Sequence, residues 1–269
     1  MSAPLPVVFA LTGASGAPYA VRLLRALAEL RRETWLIVSS HGFRLLRTES
    51  DVHDLAGLRA AVGAEAFDAS VRVYDDGDRG AAPASGSVRT AGMVICPCSM
   101  GTLASVAAGT SRSLVERAAD VTLKERRPLV VVPRETPLSA IHLENMLRLA
   151  RAGAVVLPAA PGFYHRPESI DALVDFIVAR ILDQLVIARI DEYPHLLHPR
   201  WRGAGERTGR RRRKGTRRAR VEDEADEARA VLHRRLQRGA IRQAADLDRH
   251  GHGDRKSTRL NSSHITISY

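Results

Sequence analysis

Four short stretches of this chain concentrate residue types that can do chemistry. The first is "TGASGA", where Thr12, Gly13, Ala14, Ser15 and Gly16 stand between an apolar run and a helical pattern. A turn of this kind leaves the first backbone N–H groups of the helix unpaired, with the positive end of the helix dipole behind them. Small residues let a ligand approach that backbone, and Ser15 can cap the helix and offer its hydroxyl. Such a turn suits an anion, phosphate above all. It is neither G-x-G-x-x-G nor a Walker loop, and an ordinary tight turn with a serine cap would look the same. The second stretch is "CPCSMGTL", in which Ser99 can cap a helix while Ser99, Met100, Gly101 and Thr102 present N–H groups and two hydroxyls. Cys96 and Cys98 invite a nucleophile reading, but no activating neighbour is visible in the sequence, and buried cysteine is commonly inert packing. The third is "VVVPRETPL", which sets Arg134 and Glu135 at the end of an apolar run, with Pro137 placed for the first turn of the next helix. Two charges there are costly unless they meet a ligand or pair with each other. The fourth is "PGFYHRP", a loop stiffened by proline that carries Tyr164, with Arg180 on the helix beyond it among apolar neighbours.

These stretches need elements to position them. Short, nearly continuous apolar runs at 7–11, 34–39, 93–97, 129–132 and 154–157 read as buried strands. Amphipathic patterns at 18–30, 102–108, 113–124, 138–151 and 167–187 read as helices between and after them. That alternation predicts an α/β fold, a doubly wound parallel sheet with helices on both faces. Ligands bind such sheets at the carboxyl ends of their strands. The segments 12–16, 39–41, 97–102 and 133–136 should therefore converge on one edge. Residues 50–91 give no clear element, and the polar, glycine-rich run 74–87 reads as a lid or a surface excursion.

Composition narrows the function. The chain has 269 residues, 45% of them apolar and 4% aromatic, which predicts one large domain with an aliphatic core. The two cysteines suit neither a disulfide scaffold nor a self-contained zinc site, so a reducing, cytoplasmic setting is expected. No secretory leader and no apolar run of roughly 20 residues is visible, so no membrane span is expected. The net charge of +11 is local: residues 1–200 hold 22 Lys and Arg against 21 Asp and Glu, whereas residues 201–269 hold 19 against 9. Nucleic-acid binding would thus concern the tail alone, through 207–220. That tail shows no strand or helix periodicity. Its arginine run resembles out-of-frame translation of GC-rich DNA, and its last residues resemble translated adapter sequence. It is expected to be disordered or artefactual, and residues 1–200 to form the functional domain.

Taken in order, "TGASGA", "CPCSMGTL", "ERAADVTLKERRPLVVVPRETPL" and "PGFYHRP" resemble the UbiX-type flavin prenyltransferases, and the resemblance runs over about 7–187. It implies a Rossmann-like (flavodoxin-like) domain assembling into a homododecamer. It implies an enzyme that joins a dimethylallyl group from dimethylallyl monophosphate to N5 and C6 of reduced FMN, without a metal. The prenylated FMN would be handed to a UbiD-type decarboxylase, one of which serves ubiquinone biosynthesis. Matching positions would hold FMN through Gly13, Ala14, Ser15, Ser39, Ser99, Met100, Gly101, Thr102 and Arg134. The prenyl phosphate would meet Tyr164 and Arg180, with Lys124 and Glu49 also matching the family's pocket. Glu135 matches the acid that assists phosphate departure. Trp201 matches an aromatic near the family's end, and everything beyond it departs.

The residue types suit that chemistry. Monophosphate carries about two negative charges as it leaves, which Arg180 and Lys124 would neutralise while Glu135 gives a proton. An allylic cation would be stabilised by the flavin and by aromatic faces such as Tyr164. The cofactor supplies the nucleophile. Two alternatives remain. An FMN-dependent cysteine decarboxylase would use a histidine after the first loop and an asparagine-containing motif, where this chain has Pro18-Tyr19 and "PRETPL". A non-catalytic FMN carrier would need Gly13–Ser15 and Arg134 but not Glu135 or Arg180.

Overall fold

The computed structural model describes residues 4–185. The expectations placed on the tail and on Trp201 lie outside those residues.

Six parallel strands form one sheet in the order β3-β2-β1-β4-β5-β6. They are β1 Val7–Leu11, β2 Thr34–Val38, β3 Val71–Tyr74, β4 Gly92–Cys98, β5 Leu129–Pro133 and β6 Val155–Val156. In β1, β2, β4 and β5 every residue is buried, which is why these strands read as unbroken apolar runs rather than alternating ones. Alternate side chains feed two cores. Val7, Phe9, Leu11, Leu36, Val94 and Val130 face one side, and Val8, Ala10, Ile37, Ile95 and Val131 face the other.

Eight helices among the described residues cover the sheet: α1 Ala17–Glu29, α2 Ser40–Glu49, α3 Leu55–Val62, α4 Ala64–Ser70, α5 Met100–Ala107, α6 Leu114–Lys124, α7 Ala140–Arg151 and α8 Ile170–Leu185. Leu23, Leu24 and Leu27 of α1 pack with Ile177, Ile181 and Leu182 of α8 on the first face. Leu103 of α5, Leu114 and Ala118 of α6, and Leu149 of α7 close the second. The strand order reverses between β1 and β4, which opens a crevice at the carboxyl ends of those two strands.

Two expectations need correction. The stretch 50–91 holds α3, α4 and the edge strand β3, and only then a loop with one 3-10 turn at Ala82–Ala84. That loop is fastened rather than lid-like. Asp76 accepts from the N–H groups of Leu114 (2.7 Å) and Val115 (3.0 Å), and Arg127 donates to the Gly86 and Val88 carbonyls, each at 2.8 Å. Pro137 does not open α7: Ser139 is its N-cap, accepting from the His142 N–H while the His142 ring accepts from Ser139 in return.

Candidate functional site

The carboxyl edge is assembled by hydrogen bonds that run between loops far apart in sequence. The buried Thr12 hydroxyl donates to the Pro97 carbonyl and accepts from the Ser99 N–H, both at 2.9 Å. The β4–β5 register shifts between Ile95 and Cys98, so a local irregularity in the ladder accompanies this contact. On the other flank the Ser39 N–H donates to the Leu11 carbonyl at 3.0 Å. Gly13 lies against α2 so closely that a Cβ there would stand 2.5 Å from the His41 Cβ. The segments 12–16, 39–41, 97–102 and 133–136 do converge, as the strand pattern requires.

Ser99 caps a helix as expected, and Ser39, expected only as a flavin contact, caps one as well. Ser39 caps α2, accepting from the Gly42 N–H at 3.1 Å. Ser99 caps α5, accepting from the Thr102 N–H at 3.2 Å and donating to the Thr102 hydroxyl at 2.9 Å. Ala14 and Met100 are buried beside them, and Gly101 is exposed.

Ser15 behaves differently. The N-cap of α1 is Gly16, whose φ of 127° suits glycine, and no side chain caps it from the loop. Instead Oε2 of Glu49, the last residue of α2, accepts from the N–H groups of Gly16 (2.7 Å) and Ala17 (2.9 Å). Burial alone would raise the Glu49 pKa. The bonds from Gly16 and Ala17, the Ser15 hydroxyl and the Arg134 charge outweigh it and hold the carboxyl below its usual range. The anion site at the start of α1 is therefore filled by the chain's own carboxylate. The N-termini of α2 and α5 and the Arg134 cation are what the edge offers to an anionic ligand.

Arg134 and Glu135 follow β5 and take different partners. The Arg134 Nε–H donates to the Ser15 carbonyl at 3.2 Å, and the Glu135 carboxylate accepts from the Thr136 N–H at 3.1 Å. The loop after β6 leaves beside them, its Ala159 N–H donating to the Pro133 carbonyl at 3.0 Å. It carries Tyr164, 65% exposed, whose ring meets His165 and Phe176 edge-on.

Two expected site residues do not join this group. Lys124 is the last residue of α6, which starts at the carboxyl edge beside Asp76 and ends at the amino edge. There it pairs with Glu125, close to Gly86. β5 has five residues, so at about 3.3 Å per residue Lys124 lies roughly 15 Å or more from Arg134. Arg180 lines a cavity of about 320 Å³ along the β6 edge with Val155, Leu157 and Phe176, and its guanidinium pairs with Asp183 at 3.1 Å. Its neighbours Ile177, Ile181 and Leu182 are buried, as the helical pattern implies.

Cys96 and Cys98 are free and fully buried. Burial raises both thiols, Cys98 to about 12, so neither is poised as a thiolate. Among the described residues no group of three or more His, Cys, Asp or Glu could hold a metal, and no helix is long and apolar enough to cross a membrane. Sequence reasoning missed Thr12, whose position just ahead of Gly13 is its only signal.

A three-layer α/β fold with a polar, cation-bearing crevice at its strand switch defines a class of nucleotide-type binding proteins. Residues 1–182 match the family model described as Flavoprotein. A flavin prenyltransferase UbiX from Pseudomonas aeruginosa is 51% identical over 208 residues, covering 75% of this chain and 96% of the relative. The crystal structure of AnUbiX (PadA1) in complex with FMN and dimethylallyl pyrophosphate is 42% identical, covers 70% of this chain and 95% of that one, and superposes with a TM-score of 0.64. A dodecameric FMN-dependent UbiX-like decarboxylase from Escherichia coli O157:H7 is 44% identical, covers 68% and 94%, and gives a TM-score of 0.62. This chain belongs to the Flavoprotein family and, within it, to the UbiX flavin prenyltransferases.

Proposed function

We propose that residues 1–200 form a metal-independent flavin prenyltransferase domain, which joins a dimethylallyl group from dimethylallyl monophosphate to reduced FMN. The single observation that carries this reading is the meeting of Ser15, Glu49, Ser99 and Arg134 at the carboxyl edge of the sheet, in a chain of this family. Reduced FMN supplies the nucleophilic N5 and C6.

The crevice fits FMN. Gly13 lets the first turn close on α2, Ser39 and Ser99 to Thr102 present capped helix starts, and Arg134 adds a cation. Ser15 and Glu49 share a hydrogen bond, so a proton released beside them has an acceptor. Tyr164 provides an aromatic face for the prenyl group. Glu135 stands at the mouth, where it can donate a proton to departing phosphate.

Lys124 and Arg180 lie on other edges of their own subunit. They serve the reaction by reaching the crevice of a neighbouring copy, which requires a homo-oligomer. Ile141 (68% exposed), Leu143 (53%) and Leu147 (49%) give α7 an apolar surface suited to such contacts. The dodecameric relative supports the same assembly. The product would pass to a UbiD-type decarboxylase in the cytoplasm.

The test is anaerobic incubation of the chain with reduced FMN and dimethylallyl monophosphate, then mass measurement of the extracted flavin. A gain of one prenyl unit, much reduced in Glu135→Gln, supports the reading. Tightly bound but unmodified FMN would leave a carrier.

A further inference from the structure

We propose that Arg127 is a positioning residue for Lys124, acting through the loop that carries Gly86. The proposal rests on the reading that Lys124 meets the prenyl phosphate.

Three observations join these residues. Arg127, half-buried before β5, spreads its guanidinium over one loop. Its Nη2 donates to the Gly86 carbonyl and its Nη1 to the Val88 carbonyl, each at 2.8 Å, and Nη1 also lies 3.4 Å from the Thr90 hydroxyl. Gly86 then forms the floor under an ion pair. A Cβ built there would stand 2.7 Å from the Lys124 Nζ and would overlap the Glu125 carboxylate. Finally, Lys124 and Glu125 are paired with each other, and Arg127 adds its charge to the field on Glu125.

The physical consequence is a restricted ammonium. A lysine head on a four-carbon stem ordinarily samples many rotamers. Here Glu125 holds it from one side and the Gly86 backbone bounds it from another. That floor is fixed because a planar fork binds two of its carbonyls at once. Without the fork the loop 85–90 is freer, and the ammonium loses its boundary. Lysine at 127 cannot reproduce a two-carbonyl bridge, since it is a point charge. Gly86 lacks a side chain for the same purpose: any Cβ would displace the pair.

A readout independent of catalysis exists because Lys124 is the only lysine among residues 1–200, the others being Lys214 and Lys256. Reductive methylation of the full chain with a ¹³C label keeps the charge and gives a dimethyl-lysine signal, assigned to Lys124 by its loss in Lys124→Arg. Arg127→Gln and Gly86→Ala should each move that signal towards the position of a freely rotating lysine. Arg127→Lys should restore it only in part. An unmoved signal in Arg127→Gln overturns the proposal.

Kinetics give the second arm. Arg127→Gln should raise the KM for dimethylallyl monophosphate by about ten- to a hundredfold, with FMN affinity and assembly unchanged. In a Lys124→Ala background it should cost nothing further. An equal loss in that background also overturns the proposal, because Arg127 would then act elsewhere. If the signal moves while the KM does not, the positioning stands, and the assignment of Lys124 to the prenyl phosphate is what fails.

Discussion

Thr12 and Ser99 are joined through one hydroxyl. Thr12 Oγ1 takes the Ser99 N–H and gives its own proton to the Pro97 carbonyl, both at 2.9 Å and across more than 80 residues of chain. The turn after β1 and the turn after β4 are thereby held in register. Thr12→Val keeps the shape and removes both bonds: the Pro97 carbonyl keeps the Thr12 N–H at 3.2 Å, and the Ser99 N–H loses its acceptor. The expected cost is about 1–3 kcal/mol of stability. FMN affinity should fall as well, measured by fluorescence titration, because the ligand must span both turns. Unchanged affinity with lowered stability would show that the bond serves the fold alone.

Glu49 makes a prediction with a sign. Its pKa is depressed in the folded state, so the stabilisation it provides is full above the unfolded value, near 4.3 for a glutamate, and is lost as pH falls through the folded value. Glu49→Gln should lower stability at pH 7 by about 1 kcal/mol, the usual worth of a helix N-terminal partner. The gap between the two proteins should narrow as pH falls below the ordinary glutamate range and through the lowered folded value, where the wild-type carboxyl takes up its proton. Thermal melts across a pH series from 7 downwards test this. A gap that persists at low pH would mean that hydrogen-bond geometry, not charge, is what Glu49 contributes.

Lys124 sits at the amino edge and Glu135 at the carboxyl edge of the same sheet. If one site draws these two residues from different copies, two impaired variants should complement. Lys124→Ala and Glu135→Gln are each expected to cut prenyl transfer to a small residual rate while retaining FMN. Coassembled in equal amounts, they should recover about a quarter of wild-type activity, because random pairing then builds some sites from two intact halves. Mixed oligomers no more active than either variant alone would place both residues in one subunit's site and refute the shared arrangement.

The sheet was legible because its four central strands are buried on both faces and so appear as unbroken apolar runs, Val7 to Leu11 being the clearest. β3 was not, because it is an edge strand of four residues with Arg72 and Val73 exposed. Its neighbours α3 and α4 are short and lie in a stretch whose sequence gives no clear element. The serine cap at 99 follows from local chemistry, since its bond spans only three residues, whereas the equally local cap at 39 belongs to α2, whose helical pattern does not stand out in the sequence. The cap of α1 could not be read locally. Its acceptor is Glu49, 33 residues away, and Ser15 was the only local candidate. Pairing of remote residues is set by packing, and packing at α1 depends on where α2 ends. The same reason hid the place of Lys124. Its residue type and motif are visible in the sequence, but the direction in which α6 runs decides which edge it reaches.

Gly42 offers a direct test of how the site is positioned. It lies in the first turn of α2, where a Cβ would stand 2.6 Å from both the Leu11 carbonyl oxygen and the Leu11 Cδ2. The backbone partner cannot move without pulling β1 from the sheet, so Gly42→Ala must lift the start of α2. That shift also moves His41 off Gly13 and pulls Glu49 at the far end of the helix away from the Gly16 and Ala17 N–H groups. The expected destabilisation is about 1–3 kcal/mol, as for other overpacked sites. Helix propensity alone would favour alanine by up to about 1 kcal/mol, so the sign separates the two effects. Denaturant melts decide it. A more stable Gly42→Ala would mean that α2 docks with more room than these contacts show, and that the position of Glu49 is set from elsewhere.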